Sequence, residues 1–594
     1  MNDPESIDGP IQRFFLSSWR PYALLAIAVL ALYGHTVFFT NLTYQDDDKL
    51  IVESYPLISN PGHLKKVFVE DVYHHYQGGN LYRPLLTLSF MVDARLSIAS
   101  LTAYRCTNLL LHAIAVVLVF LFFRQIGIQR KIAFLTSLLF ACHPALAQAV
   151  AWIPGRNDSL LAVFVLGSMM TLLRYHATAR VRWALLHAFF FALAMFTKET
   201  AIVLPLLAVF MLTVVAREKP RLLTIVLLMA LWASVLAVWS ALRSAAFIVS
   251  PAYSFSTVLQ LLQNSWLMVV YLGSAVWPFA TFVISVVENM NVLPGIAAIL
   301  VVAACCFLAD RRDWRLLSFG AIWFLGFLVL TTYYHPDVHV QPRYTQHRIY
   351  VSLIGLLLLF PALSFSTEKK ALRTFGKWLF GATIALFGVL TVRQTFVFED
   401  AMSFNETVAE TSPDNRFAHY DVRMMMLSDY NGLPAADEPW KAPAPSRYRM
   451  QLAELSERLR AQIALKPRDA GLHHLLAITY FGQGLLRRSE WEFKESLSLV
   501  PGEAIVQFNT GVLYYHGHFE RKSEEHWLRT VELDPSMADA HFNLCYLYYR
   551  WKQYPEALAY ADRAERIGAN LPPELLRELK RLVGDSLNHD GNRR

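Results

Sequence analysis

Three carboxylates stand side by side in Tyr44-Gln45-Asp46-Asp47-Asp48, just past the first long apolar run. Adjacent acids repel one another, which raises their proton affinity unless a cation sits beside them. One such group can serve as a general base, and two can hold a metal against a phosphate. A solvated acidic turn is the plain alternative. Basic groups recur at comparable places in the chain. Leu81-Tyr82-Arg83-Pro84-Leu85 offers a guanidinium for bidentate contact to phosphate. It reads equally as an arginine snorkelling at the start of an interfacial helix. His143-Pro144 is followed by Trp152-Ile153-Pro154-Gly155-Arg156-Asn157-Asp158, where Pro154-Gly155 marks a turn and Asp158 suits a helix start. Lys198-Glu199 falls in a short connection, and Gln346-His347-Arg348-Ile349-Tyr350 precedes a late apolar run. Helix caps, surface ion pairs and interface anchors account for each of these singly. Their convergence at one set of span ends favours a site, because ionisable groups near membrane depth are costly and usually functional.

The elements that must carry these residues are apolar. The 594 residues are 55% hydrophobic and 17% charged, against about 25% charged in soluble domains. That excludes a wholly soluble chain, and 13% aromatics exclude a disordered one. The fold class expected is all-α, a polytopic membrane helical bundle followed by a soluble helical tail. Candidate spans are Tyr22–Phe39, Thr102–Phe123, Ile132–Ala147, Leu160–Leu173, Trp183–Phe196, Ala201–Ala216, Leu222–Leu242, Val292–Ala309, Leu316–Tyr333, Ile349–Phe365 and Leu372–Val392. Val258–Val287 is apolar too, but Pro278 interrupts it.

Lys and Arg clusters orient the spans, since basic loops stay in the cytoplasm. Arg124, Arg130 and Lys131, then Arg174, Arg180 and Arg182, then Arg217, Lys219 and Arg221 alternate correctly, as do Arg311, Arg312 and Arg315. Parity holds for about 11 crossings if Val258–Val287 is re-entrant. The first loop (41–101) and the tail then lie outside the cytoplasm. Residues 1–398 carry a formal +12 and residues 399–594 a formal −5, which together give the net +7. The basic excess is thus mainly a topology signal and gives no argument for nucleic acid. Cys106, Cys142, Cys305, Cys306 and Cys545 lack metal-ligand spacing and read as packing residues. His112 lies in an apolar stretch after Asn108 and reads as an interhelical hydrogen-bond residue.

The tail is a repeat. Pro467, Pro501 and Pro535 are spaced by 34 residues, as are Tyr480, Tyr514 and Tyr548. That is the tetratricopeptide period, one helix–turn–helix per unit. The expected organisation is 1–393 for the membrane domain and 394–467 for a linker and a diverged first repeat. That repeat starts at Arg416 and carries a Pro- and Ala-rich insertion, Asn431–Ser446. Three repeats follow (470–503, 504–537 and 538–571, within 468–571), and a capping helix and tail occupy 572–594.

These motifs resemble the transmembrane and tetratricopeptide-repeat protein O-mannosyltransferases and their bacterial relatives, in the GT-C glycosyltransferase superfamily. The resemblance rests on the Asp-Asp loop, Tyr-Arg-Pro-Leu, the His-Pro to Arg-Asn-Asp stretch, Lys-Glu, Arg-Ile-Tyr and the repeats. It implies a GT-C membrane bundle and a polyprenyl-phosphate sugar donor consumed on the non-cytoplasmic face, with mannose among the sugars. It implies Asp46 and Asp47 as the acidic pair. Arg83, Arg156, Lys198 and Arg348 would be donor phosphate-binding, supported by Tyr82, His143, Asp158 and Glu199. No cofactor is obligatory, although the Asp triplet leaves room for a divalent cation. The repeats, an α-solenoid, would receive an acceptor polypeptide. Two departures stand out: Asp48 is an extra acid, and His347 stands where the family more often has Glu. Compact loops favour a bacterial inner membrane over the endoplasmic reticulum. Two other functions fit a polytopic chain: a transporter or flippase of a lipid-linked sugar, and a non-catalytic assembly factor.

Overall fold

The computed structural model describes residues 16–43, 46–73, 81–97, 100–216, 220–247, 261–279, 284–286, 290–332, 343–365, 370–411, 445–567, 571 and 573–591. The chain divides into two units, Met1–Asp400 and Ala401–Arg594. The start expected for a diverged repeat at Arg416 and most of its insertion lie outside the described residues.

The first unit is helical. Helix α1 is Arg20–Tyr33, α2 Pro84–Leu96, α3 Thr102–Gln125, α4 Arg130–Ala141, α5 Arg156–Thr178 and α6 Val181–Thr197. Helix α7 is Leu222–Ala246, α8 Leu293–Leu308, α9 Trp314–Val329, α10 Ile349–Leu357 and α11 Lys370–Thr395. Each of the 11 apolar ranges carries helix. Six helical stretches among the described residues are long and apolar enough to cross a membrane, at Arg20, Thr102, Ile153, Leu222, Trp314 and Thr374. A seventh is counted if α4 and Pro144–Ala151, bent by 55°, form one span. The other four ranges coincide with shorter apolar helices: Val181–Thr197, Glu199–Val215, Leu293–Leu308 and Gln346–Ala362. The Val258–Val287 segment contributes the ten-residue helix Leu267–Val276, which stops at Trp277, just before Pro278.

One apolar core joins most of these helices, while the buried side of α2 packs in a second cluster with the first-loop residues Leu50, Ile51, Leu57 and Val67. Phe120, Phe122, Phe123, Phe140, Leu166, Phe191, Trp323 and Tyr350 are all within the main core. Two close approaches set its geometry. A Cβ on Gly355 would meet the Gly320 carbonyl oxygen at 2.6 Å, so α9 and α10 cross at backbone contact. A Cβ on Gly155 would meet the Gln148 carbonyl oxygen at 2.6 Å, so the turn after Trp152 folds onto the preceding helical turn only as glycine. Overpacking of this kind costs about 1–3 kcal/mol. Two short antiparallel pairs tie distant loops: β1 (Ile284–Val286) with β3 (Arg343–Thr345), and β2 (Arg311–Arg312) with β4 (Leu363–Ser364).

The second unit repeats one helix pair. Helices α12 Ala470–Gly482, α14 Ala504–His516 and α16 Ala538–Arg550 begin 34 residues apart. So do their partners, α13 Leu486–Leu499, α15 Glu520–Leu533 and α17 Tyr554–Arg566. Helix α18, Pro573–Gly591, closes the series. The periodic prolines have a role in this geometry. The carbonyls of Pro467, Pro501 and Pro535 accept from His473 Nε2 (3.2 Å), Gln507 Nε2 (3.4 Å) and His541 Nε2 (3.0 Å), always six residues on. The turn inside each pair also recurs. Leu485, Phe519 and Gln553 donate their amides back to Tyr480, Tyr514 and Tyr548. The left-handed residues in those turns are Gly484, His518 and Lys552, with φ of 74°, 62° and 61°.

Candidate active site

Asp46 and Asp47 part company. Asp46 is half-buried and left-handed, with φ of 65°, a conformation open to Asp because its short side chain bonds locally. Its carbonyl accepts the Leu50 amide at 2.8 Å, and its carboxylate takes the Tyr73 hydroxyl. Burial, then the Asp46 charge, drives the Tyr73 phenol well above its ordinary proton affinity, so it stays a donor to Asp46. Asp47 is buried, and its Oδ2 accepts from the amide (2.8 Å) and hydroxyl (3.0 Å) of Thr43. The Asp48 side chain lies outside what the structure describes.

Arg83 caps the start of α2, where Pro84 occupies a first-turn position whose amide needs no partner. Its Nη2 and Nε donate to Glu199 Oε1 and Oε2 at 2.8 and 3.3 Å, a forked pair. Burial disfavours the Arg83 charge, but the Glu199 carboxylate outweighs it and raises the proton affinity further. Lys198 ends α6 in an extended conformation, and its Nζ donates to Asp158 Oδ1 at 2.7 Å. Asp158 sits in the first turn of α5, where the helix dipole favours an anion. Its other oxygen lies 3.8 Å from His347 Nε2. Arg348 Nη1 donates to the Thr331 carbonyl at 2.8 Å. Charges from Arg83 and Arg348 both reach Asp158, and those of Lys198, Arg348 and Arg83 all reach His347. Tyr73 feels Asp46 and Arg83 at once, so it joins the acidic loop to the basic cluster.

The cluster therefore gathers three cations, Arg83, Lys198 and Arg348, around two carboxylates, Asp158 and Glu199. With neutral His347 the local sum is one positive charge, suited to an anion in a low-dielectric setting. Buried polar atoms here also lack a hydrogen-bond partner among the described residues: Asp158 Oδ2, Asn157 Oδ1, Gln346 Nε2 and His347 Nδ1. Among those residues, no group of three or more His, Cys, Asp or Glu side chains is gathered as a metal would need.

Arg156, expected to bind donor phosphate, has its partners outside this set. It is wholly enclosed, paired with Asp93, and donates to Asn108 Oδ1 (2.7 Å), the Tyr104 carbonyl (2.6 Å) and Ser89 Oγ (3.1 Å). Phe90 covers one face of its guanidinium, 4.7 Å from the ring centroid. These contacts hold α2, α3 and α5 together and occupy most of its donors. Tyr82 and His143, expected to support the site, also bond to backbone groups. The Tyr82 hydroxyl donates to the Phe68 carbonyl at 2.8 Å, and burial pushes its phenol up to about 12. His143 Nδ1 accepts the Ala145 amide while Nε2 bonds the Ala275 carbonyl at 2.9 Å. Tyr73, Asp93 and Arg105, whose guanidinium donates to the carbonyls of Ala151 (2.9 Å) and Asn41 (2.8 Å), carried no sequence signal. Their neighbours are many residues distant, and no short motif marks them. Asn108 and His347 were visible in the motifs, but their partners were not.

Residues 85–242 match the model of the dolichyl-phosphate-mannose-protein mannosyltransferase family. That stretch includes Arg156, Asp158, Lys198 and Glu199; it begins after the acidic loop and Arg83 and ends before Arg348. Two relatives are protein O-mannosyl-transferases. The Caenorhabditis elegans F38B6.6 protein is 30% identical over 136 residues, 21% of this chain and 19% of that one. Human TMTC4 is 30% identical over 203 residues, 29% of this chain and 27% of that one. The matched stretches thus span about a quarter or less of those relatives' length. The resemblance to protein O-mannosyltransferases, read from the motifs, agrees with this family model and these relatives over that part of the chain. A structural likeness to Cupriavidus metallidurans ArnT bound to undecaprenyl phosphate covers 89% of this chain and 81% of that one, at 12% identity and a TM-score of 0.38.

Proposed function

We propose that the protein is a membrane glycosyltransferase that moves a sugar, with mannose the first candidate, from a polyprenyl-phosphate donor to a polypeptide hydroxyl on the non-cytoplasmic face. The observation that carries this reading is the gathering of Arg83, Lys198 and Arg348 about Asp158, linked through Tyr73 to Asp46. In this mechanism the acceptor oxygen attacks the anomeric carbon as its proton passes to Asp46 or Asp47. The bond from that carbon to the phosphate oxygen breaks, and the lipid phosphate leaves as an anion. Arg83, Lys198 and Arg348 stabilise its developing charge. A single displacement inverts the anomeric centre. No divalent cation is required, because the fixed cations already supply positive charge.

In this reading the bundle makes 11 crossings and Leu267–Val276 is re-entrant. The 34-residue helix pairs are tetratricopeptide repeats that present the acceptor polypeptide, and the setting is a bacterial inner membrane. The transporter or flippase alternative predicts broken helices and charge near the midplane. The charges proposed for the site gather at helix ends instead, at Lys198 and in the first turn of α5. An assembly factor needs fewer spans for anchorage.

The test uses membranes containing the full chain, supplied with radiolabelled dolichyl-phosphate-mannose and a secreted-protein extract. Label should enter protein, the double variant Asp46→Asn/Asp47→Asn should abolish it, and whichever of Asp46→Asn and Asp47→Asn removes the base should lose most of it. Full transfer in all three would remove these acids from the chemistry. Movement of the lipid between leaflets without transfer would favour the flippase.

A further inference from the structure

Well away in sequence from the acidic loop, the connection between α8 and α9 forms a basic cavity. Arg311, Arg312 and Arg315 line it together with Asp313, Trp314 and Ser364, forming an open depression of about 440 Å³. The loop is fixed rather than free-standing. Arg311 pairs with Ser364 and Arg312 with Leu363, and two further bonds clamp its ends: the Asp310 amide to Ser364 (3.0 Å) and the Asp313 amide to Ala362 (2.8 Å). Asp313 is the one acid among the described lining residues. Its carboxylate already accepts the Arg315 and Leu316 amides that start α9, so it is turned toward the helix. Arg312 keeps one nitrogen on the Phe307 carbonyl. Exposed aromatics accompany it: Trp314 in its lining is 64% exposed, Phe307, whose carbonyl holds Arg312, is 79% exposed, and Phe360 and Phe365, next in sequence to the lining residues Pro361 and Ser364, are also exposed.

Positive charge in such a loop is expected for topology alone. Topology does not require guanidinium forks held by a strand pair around a cavity accompanied by exposed aromatics. We propose that this cavity binds the phosphate of an anionic phospholipid, with the arginines on the headgroup and the exposed aromatics against its acyl chains. Arginine suits the task because its planar fork meets phosphate oxygens two at a time. The position, at the ends of two apolar helices, is where headgroups lie.

The test is lipid retention by the purified full chain in detergent, read by native mass spectrometry with added phosphatidylglycerol or phosphatidylcholine. Wild type should retain phosphatidylglycerol in preference to phosphatidylcholine. The triple variant Arg311→Lys/Arg312→Lys/Arg315→Lys keeps the topology charge but loses the forks, and should bind roughly tenfold more weakly. Arg311→Gln/Arg315→Gln should lose binding. Arg180→Lys/Arg182→Lys, in another basic loop, should bind as wild type. Equal retention of the two lipids, no loss in the triple variant, or equal loss in the control would overturn the proposal. Displacement of phosphatidylglycerol by millimolar inorganic phosphate would assign the cavity to a soluble anion instead.

Discussion

Lys198 and Asp158, forty residues apart, close a buried ion pair of 2.7 Å between the end of α6 and the first turn of α5. Only one Asp158 oxygen takes part; the other faces His347 across 3.8 Å. The pair therefore fixes a cation at the site while Asp158 keeps an acceptor directed toward the rest of the cluster. A buried pair of this kind is more informative about geometry than about stability, since desolvation offsets much of the attraction.

Breaking that pair on one side should be costly. Lys198→Met strands the Asp158 charge and should destabilise the protein by about 3–5 kcal/mol. Lys198→Met/Asp158→Leu should recover a large part of that loss. Thermal unfolding in detergent, followed by tryptophan fluorescence, measures both. Equal melting of the single and double variants would show that the two charges are not coupled.

Arg156 and Arg83 should respond differently to the same substitution. Arg156→Lys keeps the charge but loses the fork that spans Asp93, Asn108 and Tyr104, so it should destabilise the fold by about 1–3 kcal/mol, seen as a lower melting temperature. Arg83→Lys should leave melting nearly unchanged and raise KM for dolichyl-phosphate-mannose. A raised KM with normal stability in Arg156→Lys would return that residue to the ligand set.

Chelation gives a third check. If Arg83, Lys198 and Arg348 stabilise the departing phosphate, transfer should proceed at an undiminished rate in EDTA. Loss of transfer, restored by magnesium or manganese, would instead assign a metal to the acidic loop.

Much of this was legible in the chain itself. Apolar run length located the helices of the first unit, because a span must satisfy its backbone internally and expose apolar side chains. The prolines at 467, 501 and 535 carried the 34-residue spacing at which the helix pairs begin, since each proline carbonyl is bonded by the residue six positions on. What stayed hidden was pairing. Arg156 and Arg83 look alike in a one-dimensional pattern; only folding shows that Asp93 closes on one and Glu199 on the other. Tyr73 was hidden for the same reason, because its meaning comes from lying near both Asp46 and Arg83.

The repeat turns give a fourth prediction. Gly484→Ala places a Cβ at a left-handed position and should destabilise the second unit by about 1 kcal/mol. Lys552→Gly removes the same strain and should stabilise it by a smaller amount, because glycine also loosens the unfolded chain. Limited proteolysis of the full chain across a temperature series reads both. An unchanged pattern in Gly484→Ala would show that the turn tolerates the strain.

The identical offsets of these helix pairs have an evolutionary consequence. A 34-residue segment begins and ends at equivalent points of the same turn, so a tandem duplication or excision leaves every junction chemically familiar. The first unit has no such seam, because its buried network draws on loops and helices scattered through the chain. Reach can therefore drift among descendants of this sequence in whole modules, while the membrane body can change only residue by residue.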